Sequence, residues 1–170
     1  MSESDPQADA PEADAPEADA PEADAPEAAG PADRGAHGVL FVCRHGAAKS
    51  VLAAAELERI AAERGLGIKA GAGGIEPDAE IAPAVLSLLP DKAGRLRAQQ
   101  PHRVAAAEVR AAWLTVTFNV DEAELPSRPA RVVTWDDVPP VSERPADARD
   151  VIDRHILELL ESLGEGSVPD

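Results

Sequence analysis

The chain contains one cysteine, Cys43, and the seven residues after it carry groups suited to holding an anion: Cys43-Arg-His-Gly-Ala-Ala-Lys-Ser50. An apolar run, Gly38-Val-Leu-Phe-Val42, leads into this segment, and a helical pattern from about Ala48 to Arg64 leaves it. In a tight strand-to-helix turn the backbone N–H groups converge and the helix N-terminus adds positive potential, which together make an oxyanion cradle. A thiol at the rim of such a cradle is favoured as its thiolate. Lys49 adds a cation, and the Ser50 hydroxyl is placed to donate to the sulfur. The amides of Arg44, His45, Gly46, Ala47, Ala48, Lys49 and Ser50 would line the site, with Cys43 at its rim. The plain alternative is a structural cysteine buried at a strand end, because cysteine is among the most buried residue types. The cation six residues on and the helix entry favour the anion site.

The elements that must position this turn alternate between strand and helix. The run 38–42 lacks polar alternation, as a buried strand of a parallel sheet does. In the helix after the turn, Leu52, Ala55, Leu57, Ile60 and Ala61 recur at helical spacing, while Glu56, Glu58, Arg59 and Glu63 are expected to face out. Gly65 is the expected stop. Ile68–Ile75 reads as a glycine-loaded second strand, residues 82–89 as a helix closed by Pro90, and 102–112 as a short helix. Trp113–Phe118 and Ala130–Trp135 read as the third and fourth strands. A final helix over 146–163 carries Val151, Ile152, Ile156, Leu159, Leu160 and Leu163. This order predicts an α/β fold, a mostly parallel four-stranded sheet with helices on both faces. Ligands of such sheets bind beyond the C-terminal strand ends, where the Cys43 turn and the loop Asp136–Glu143 both fall.

Composition limits the rest. Residues 6–30 repeat a five-residue unit of Pro, acid and Ala, and residues 1–36 hold eleven acidic residues against one basic, Arg34. The repeat offers little beyond alanine to build a core, its prolines resist helix and its acids repel, so 1–36 is expected to be a disordered tail. The globular domain is expected over 37–163, followed by a flexible C-terminus, 164–170. The tail supplies −10 of the formal −16 charge. Neither part offers the basic surface that nucleic-acid binding needs. No apolar run approaches the roughly 20 residues of a membrane span, and no signal-peptide pattern opens the chain, so a cytoplasmic location is expected. With only Cys43, an intramolecular disulfide, a cysteine-rich zinc site and a two-thiol relay within the chain are excluded. Glycines 71, 73 and 74 lack a nucleotide-loop pattern and are expected to serve close packing.

The pattern Val-Leu-Phe-Val-Cys-x5-Lys-Ser followed by Ala-x-x-Leu resembles the low-molecular-weight protein tyrosine phosphatases and the related arsenate reductases, which share a Cys-x5-Arg-Ser loop. Gly71-Ala-Gly-Gly74 resembles that family's Ser-Ala-Gly-Thr segment, Thr115–Phe118 its central strand, and Trp135–Pro140 its late Asp-Pro loop. The resemblance covers nearly all of 37–163. It implies that Cys43 is the nucleophile of a phosphate-monoester hydrolysis, with phosphotyrosine as one candidate substrate, through a cysteinyl-phosphate intermediate. It implies no cofactor and no metal, and a phosphorylated substrate or inorganic oxyanion as the partner. Two departures stand out. The oxyanion-gripping Arg falls on Lys49, which replaces a planar fork with a movable point charge. The Asp of the Asp-Pro pair falls on Pro139, so the general acid would have to be Asp137 or, with less support, Asp136. Gly46 stands where the arsenate-reductase-like loop has Asn, and both residues tolerate positive φ.

Three other readings use the same residues. Arg44-His45-Gly46 after a strand is also the opening of the histidine phosphatases, with His45 as nucleophile. The remaining histidines, His37, His102 and His155, do not fit that superfamily's second catalytic position. A single-cysteine arsenate reductase would need an external thiol as a further partner. A catalytically inactive oxyanion-binding domain is the third. Independently of these, deletion of residues 1–35 is expected to leave the melting temperature within error, because the tail has no core to contribute. A large drop in a calorimetric scan would show instead that the repeat docks on the domain.

Overall fold

The computed structural model describes residues 38–165. The expected tail and residues 166–170 lie outside the described residues. Strand β1 (Val39–Cys43) is buried along its whole length, as its unbroken apolar run requires. It pairs in parallel with β2 (Ala70–Gly74) on one side and β3 (Leu114–Phe118) on the other, and β3 pairs in parallel with β4 (Val132–Thr134). The sheet order is therefore β2-β1-β3-β4, the parallel four-stranded arrangement expected from the sequence. Its register sets Cys43 level with Gly74 and Phe118. The three strands β2, β1 and β3 thus end together, and the loops leaving them border one crevice.

Alternation along β1 sends its side chains to two cores. Val39, Phe41 and Cys43 join Leu114, Val116 and Phe118 under helices α1 (Lys49–Glu63) and α5 (Pro145–Glu165). Leu40 and Val42 meet Val104, Val109, Ala112, Val120 and Leu125 on the other face, where α4 (Ala106–Ala111) packs. Phe41, Phe118 and Trp135 form an aromatic cluster, with ring centroids 5.7 to 6.1 Å apart. His155 stacks on Trp135 at 4.7 Å and 12°.

Several elements differ from the sequence expectation. The expected helix over 102–112 shortens to α4. Residues 102–104 instead extend the edge beyond β2: Gly74 N–H donates to His102 O at 3.0 Å and Val104 N–H to Gly74 O at 2.9 Å. Helix α2 (Pro83–Leu88) is followed by a 3₁₀ turn (Pro90–Lys92) and a further helix, α3 (Ala93–Ala98). Sequence reading missed α3 because Gly94 interrupts it and only Ala93 and Leu96 face the core. Helix α5 runs through Glu165, past its expected end at Leu163.

Glu56 is the clearest reversal: it is fully buried rather than facing out. Helix α5 covers that side of α1, and two arginines follow the carboxylate inward. Arg59 donates to Glu56 Oε1 from Nη2 at 2.6 Å and from Nε at 2.9 Å. Arg149 Nη2 lies 3.0 Å from Oε2, an ion contact outside hydrogen-bond alignment. Asp153 of α5 stands 3.7 Å from Arg59. Burial, and then the charge of Glu56, push the Asp153 carboxyl up to about 6.

An aspartate raised above its unfolded value costs stability when ionised. The cost is full above about pH 6 and vanishes as pH falls below the unfolded value. Asp153→Asn is therefore expected to stabilise the protein at pH 7 by about 1 kcal/mol, after discounting for solvent screening. The advantage should disappear near pH 4 in denaturant titrations. A variant less stable than wild type at pH 7 would show that the contact with Arg59 dominates.

Candidate active site

The turn after β1 is shaped by the groups that hold its carbonyls. Ile75 N–H donates to the carbonyls of Cys43 at 3.2 Å and Arg44 at 3.0 Å, and Glu76 N–H to Arg44 at 2.8 Å. Asp78 N–H donates to His45 at 3.0 Å and Ala82 N–H to Ala47 at 2.9 Å. The segment 75–82 thus draws the loop carbonyls to its own amides, and one loop amide, that of Gly46, points toward the sulfur. Gly46 N–H donates to Cys43 Sγ at 3.2 Å. Ser50 Oγ lies 3.2 Å from the same sulfur, as acceptor for the thiol and as donor for a thiolate. Both Cys43 and Ser50 are buried.

Two glycines permit this closeness. Gly46 sits at φ 60°, a left-handed position that glycine adopts without steric cost. A Cβ on Gly46 would come within 2.8 Å of Gly74 N, and one on Gly74 within 2.6 Å of Gly46 N. Gly74 is a close-packing position, as is Gly73, whose Cβ would meet Val104 at 3.1 Å. Gly71 is not: a Cβ there would make ordinary contact with Leu40 at 3.5 Å.

Above the sulfur opens a cleft of about 350 Å³ lined by the turn, by Asp78 and Ala82, by Phe118 and Asn119, and by Pro140, Val141 and Ser142. Lys49 lines it too. Its Nζ donates to Asn119 Oδ1 at 2.9 Å, and Asn119 N–H donates to Asp136 Oδ1 at 2.7 Å. Burial lowers the Lys49 pKa, against the opposing pull of Cys43 and Asp136. The Arg44 side chain turns to the rim, where a two-point pair with Glu124 at 2.7 and 3.1 Å holds it. That hydrogen-bonded pairing holds the Glu124 carboxyl below its ordinary value. His45 is more than half exposed and stands 3.3 Å from Asp78.

The sequence-derived site residues therefore divide. Cys43, Lys49 and the 44–50 backbone come together. Asp137 does not join them: it is absent from the cleft lining and accepts from His155 Nε2 at 2.8 Å, with Arg154 at 3.6 Å. The bond from His155 holds its carboxyl below the ordinary aspartate value, the wrong direction for a proton donor. Pro140 occupies the cleft wall instead. Among the described residues the histidines do not converge either, since His102 bonds Glu108 at 2.8 Å and His155 is committed to Trp135 and Asp137. Among the described residues no group of three or more His, Cys, Asp or Glu side chains could hold a metal, and no helix is long and apolar enough to cross a membrane. Sequence reading missed Asn119 and Asp78. The signal for Asn119 was its place directly after the third strand, where parallel sheets put ligand-facing residues.

Residues 38–134 match the family described as low molecular weight phosphotyrosine protein phosphatase, and the chain belongs to that family. Among solved structures it is similar to the thioredoxin-dependent arsenate reductase of Corynebacterium glutamicum, at 26% identity and TM-score 0.60 over 76% of this chain; it spans 62% of that protein. An arsenate reductase from Archaeoglobus fulgidus is 28% identical, with TM-score 0.54 over 72% of this chain and 98% of its own. A low molecular weight protein tyrosine phosphatase from Bacillus subtilis is 18% identical, with TM-score 0.62 over 75% and 97%. No curated protein matches the chain by sequence.

Gly74→Ala is expected to lower stability by about 2 kcal/mol or more, because its Cβ meets backbone that has no room to yield. Gly71→Ala should be tolerated. Equal melting temperatures for the two variants would show that the Gly46–Gly74 approach is not the constraint described.

Proposed function

We propose that the protein is a cysteine-dependent phosphatase acting on a phosphate monoester. The observation that carries the proposal is the setting of Cys43 Sγ, with the Gly46 amide and the Ser50 hydroxyl both 3.2 Å away at the floor of a cleft that also holds Lys49. The Sγ thiolate attacks phosphorus, an S–P bond forms, and the P–O bond to the leaving group breaks. Water then attacks phosphorus, the S–P bond breaks, and phosphate and the thiolate are released. The inward loop amides and Lys49 stabilise charge on the three phosphoryl oxygens. Ser50 donates to the departing thiolate in the second step. The late loop presents Pro140 rather than a carboxylic acid to the cleft, so this loop supplies no proton to the leaving oxygen. Loss of that donor typically costs about 10²–10⁴-fold.

A second reading has its own support, the 26% and 28% identity to arsenate reductases. Here Cys43 Sγ attacks arsenate with loss of water, giving a Cys–S–As(V) adduct. One external thiol attacks the sulfur of that adduct, so arsenic leaves as arsenite and a mixed disulfide forms on Cys43. A second external thiol releases Cys43 and carries away the disulfide. Two thiols are oxidised and As(V) is reduced to As(III). Cys43 is the chain's sole cysteine, so both thiols come from outside.

The two readings separate in one experiment: turnover of aryl phosphates of graded leaving-group pKa, beside arsenate with a thioredoxin system, for wild type and Cys43→Ser. The phosphatase proposal expects aryl phosphate turnover that falls steeply as leaving-group pKa rises, is unchanged by Asp137→Asn and is abolished in Cys43→Ser. Arsenite production without phosphate release would favour the reductase. Phosphate release surviving Cys43→Ser would remove the cysteine mechanism and return attention to His45.

A further inference from the structure

Lys49 stands where a fork-shaped guanidinium would grip two oxygens, and a free ammonium is a poor substitute because its three donors rotate. In this structure it is not free. Its Nζ donates to Asn119 Oδ1 at 2.9 Å. Asn119 follows the end of β3 and adopts φ 57°; it is the non-glycine residue with positive φ among the described residues. Such a conformation is uncommon outside glycine, although asparagine bears it better than most. Its backbone N–H is clamped by the Asp136 carboxylate at 2.7 Å. A strained backbone, a carboxylate clamp and a side-chain acceptor all converge on one ammonium in the cleft that contains Cys43.

We infer that Asn119, clamped by Asp136, is a positioning residue that converts Lys49 into a two-donor fork for the bound oxyanion. The inference rests on the oxyanion-binding reading of the Cys43 cleft. One ammonium proton bonds Oδ1, which stops rotation about the Cε–Nζ bond. The other two are then fixed in direction and left for two oxygens of the substrate. The arrangement supplies geometrically the fork that a lysine side chain lacks. Without Asn119 the same charge remains, but its donors are no longer aimed. Arginine at position 49 would carry its own planar fork and would not need the asparagine.

That last point makes the inference testable by binding alone. Inorganic phosphate and vanadate affinities are measured by calorimetry on the full chain for six proteins: wild type, Asn119→Gly, Asp136→Ala, Lys49→Arg, and Lys49→Arg combined with each of the first two substitutions. Glycine takes φ 57° freely, so Asn119→Gly removes the acceptor without straining the backbone. The expected result is about a tenfold loss on Asn119→Gly with Lys49 present, the size of one well-placed hydrogen bond to a charged group. In the Lys49→Arg protein the same substitution should cost less than about twofold, since arginine is self-forked. Asp136→Ala, which leaves Asn119 in place but unclamped, should show a smaller loss than Asn119→Gly when Lys49 is present, and little loss in the Lys49→Arg protein. Equal losses in both backgrounds would mean a general structural role and overturn the inference. So would unchanged affinity in Asn119→Gly, while leaving the oxyanion reading intact. Failure of the wild type to bind either anion would overturn that reading and this one together.

Discussion

The site depends on which way one short stretch of backbone faces. An anion cradle needs amide hydrogens turned inward, and that requires the intervening carbonyls to be satisfied elsewhere. Here four loop carbonyls, those of Cys43, Arg44, His45 and Ala47, are taken up by N–H groups of the single segment 75–82. That segment leaves β2 at Gly74, and the register sets Gly74 beside Cys43. A side chain at either Gly46 or Gly74 would collide with the other's backbone. The shape of the turn is therefore a product of two adjacent parallel strands ending at the same level, not of the loop sequence alone. The buried charge of Glu56 fits the same plan, because it ties α1, which begins at Lys49, to α5 through Arg149.

Electrostatics around the cleft divide into a rim of direct ion pairs and a lysine held without one. Arg44 and His45 face acidic partners, Glu124, Glu76 and Asp78, so their side chains bring little net charge to a ligand. On the floor, Lys49 contacts a neutral carboxamide, while Asp136 meets a backbone amide and not the ammonium itself. A Lys–Asp ion pair would have spent the cation before any ligand arrived. An intervening asparagine orients the ammonium and leaves its charge available.

Much of this was legible in the sequence. The strand-turn-helix order with its one cysteine marked the turn that borders the cleft, because apolar runs and helical periodicity are local signals. The all-parallel sheet followed from alternation of strand and helix. The features that were not legible depended on tertiary placement. Glu56 sits on the expected polar stripe of α1, yet α5 folds over it, and no pattern within α1 reports a partner so distant along the chain. Residues 102–104 have no strand signal of their own and are recruited by the open edge at Gly74. Asn119 lies just past the expected third strand and carries no further signal of its own; its contacts appear only once Lys49 and Asp136 are brought to either side of it.

The late loop shows how a loop can withhold its own carboxylates from a cleft and still keep its shape. Trp135 closes the aromatic cluster with Phe41 and Phe118, and His155 stacks on it in turn. His155 also holds Asp137 at 2.8 Å. The same packing that anchors the loop thus draws this carboxylate toward α5 and away from the cleft. Val138 and Val141 are buried in the core, which fixes the loop between them and sets Pro140 against the cleft. Asp136 is equally committed, since its carboxylate carries the Asn119 amide. Moving either aspartate into the cleft would break a contact that supports the fold or the lysine. The two aspartates of the late loop are thus held by the contacts that fix the loop itself, which is why neither lines the cleft although Pro140, Val141 and Ser142 do.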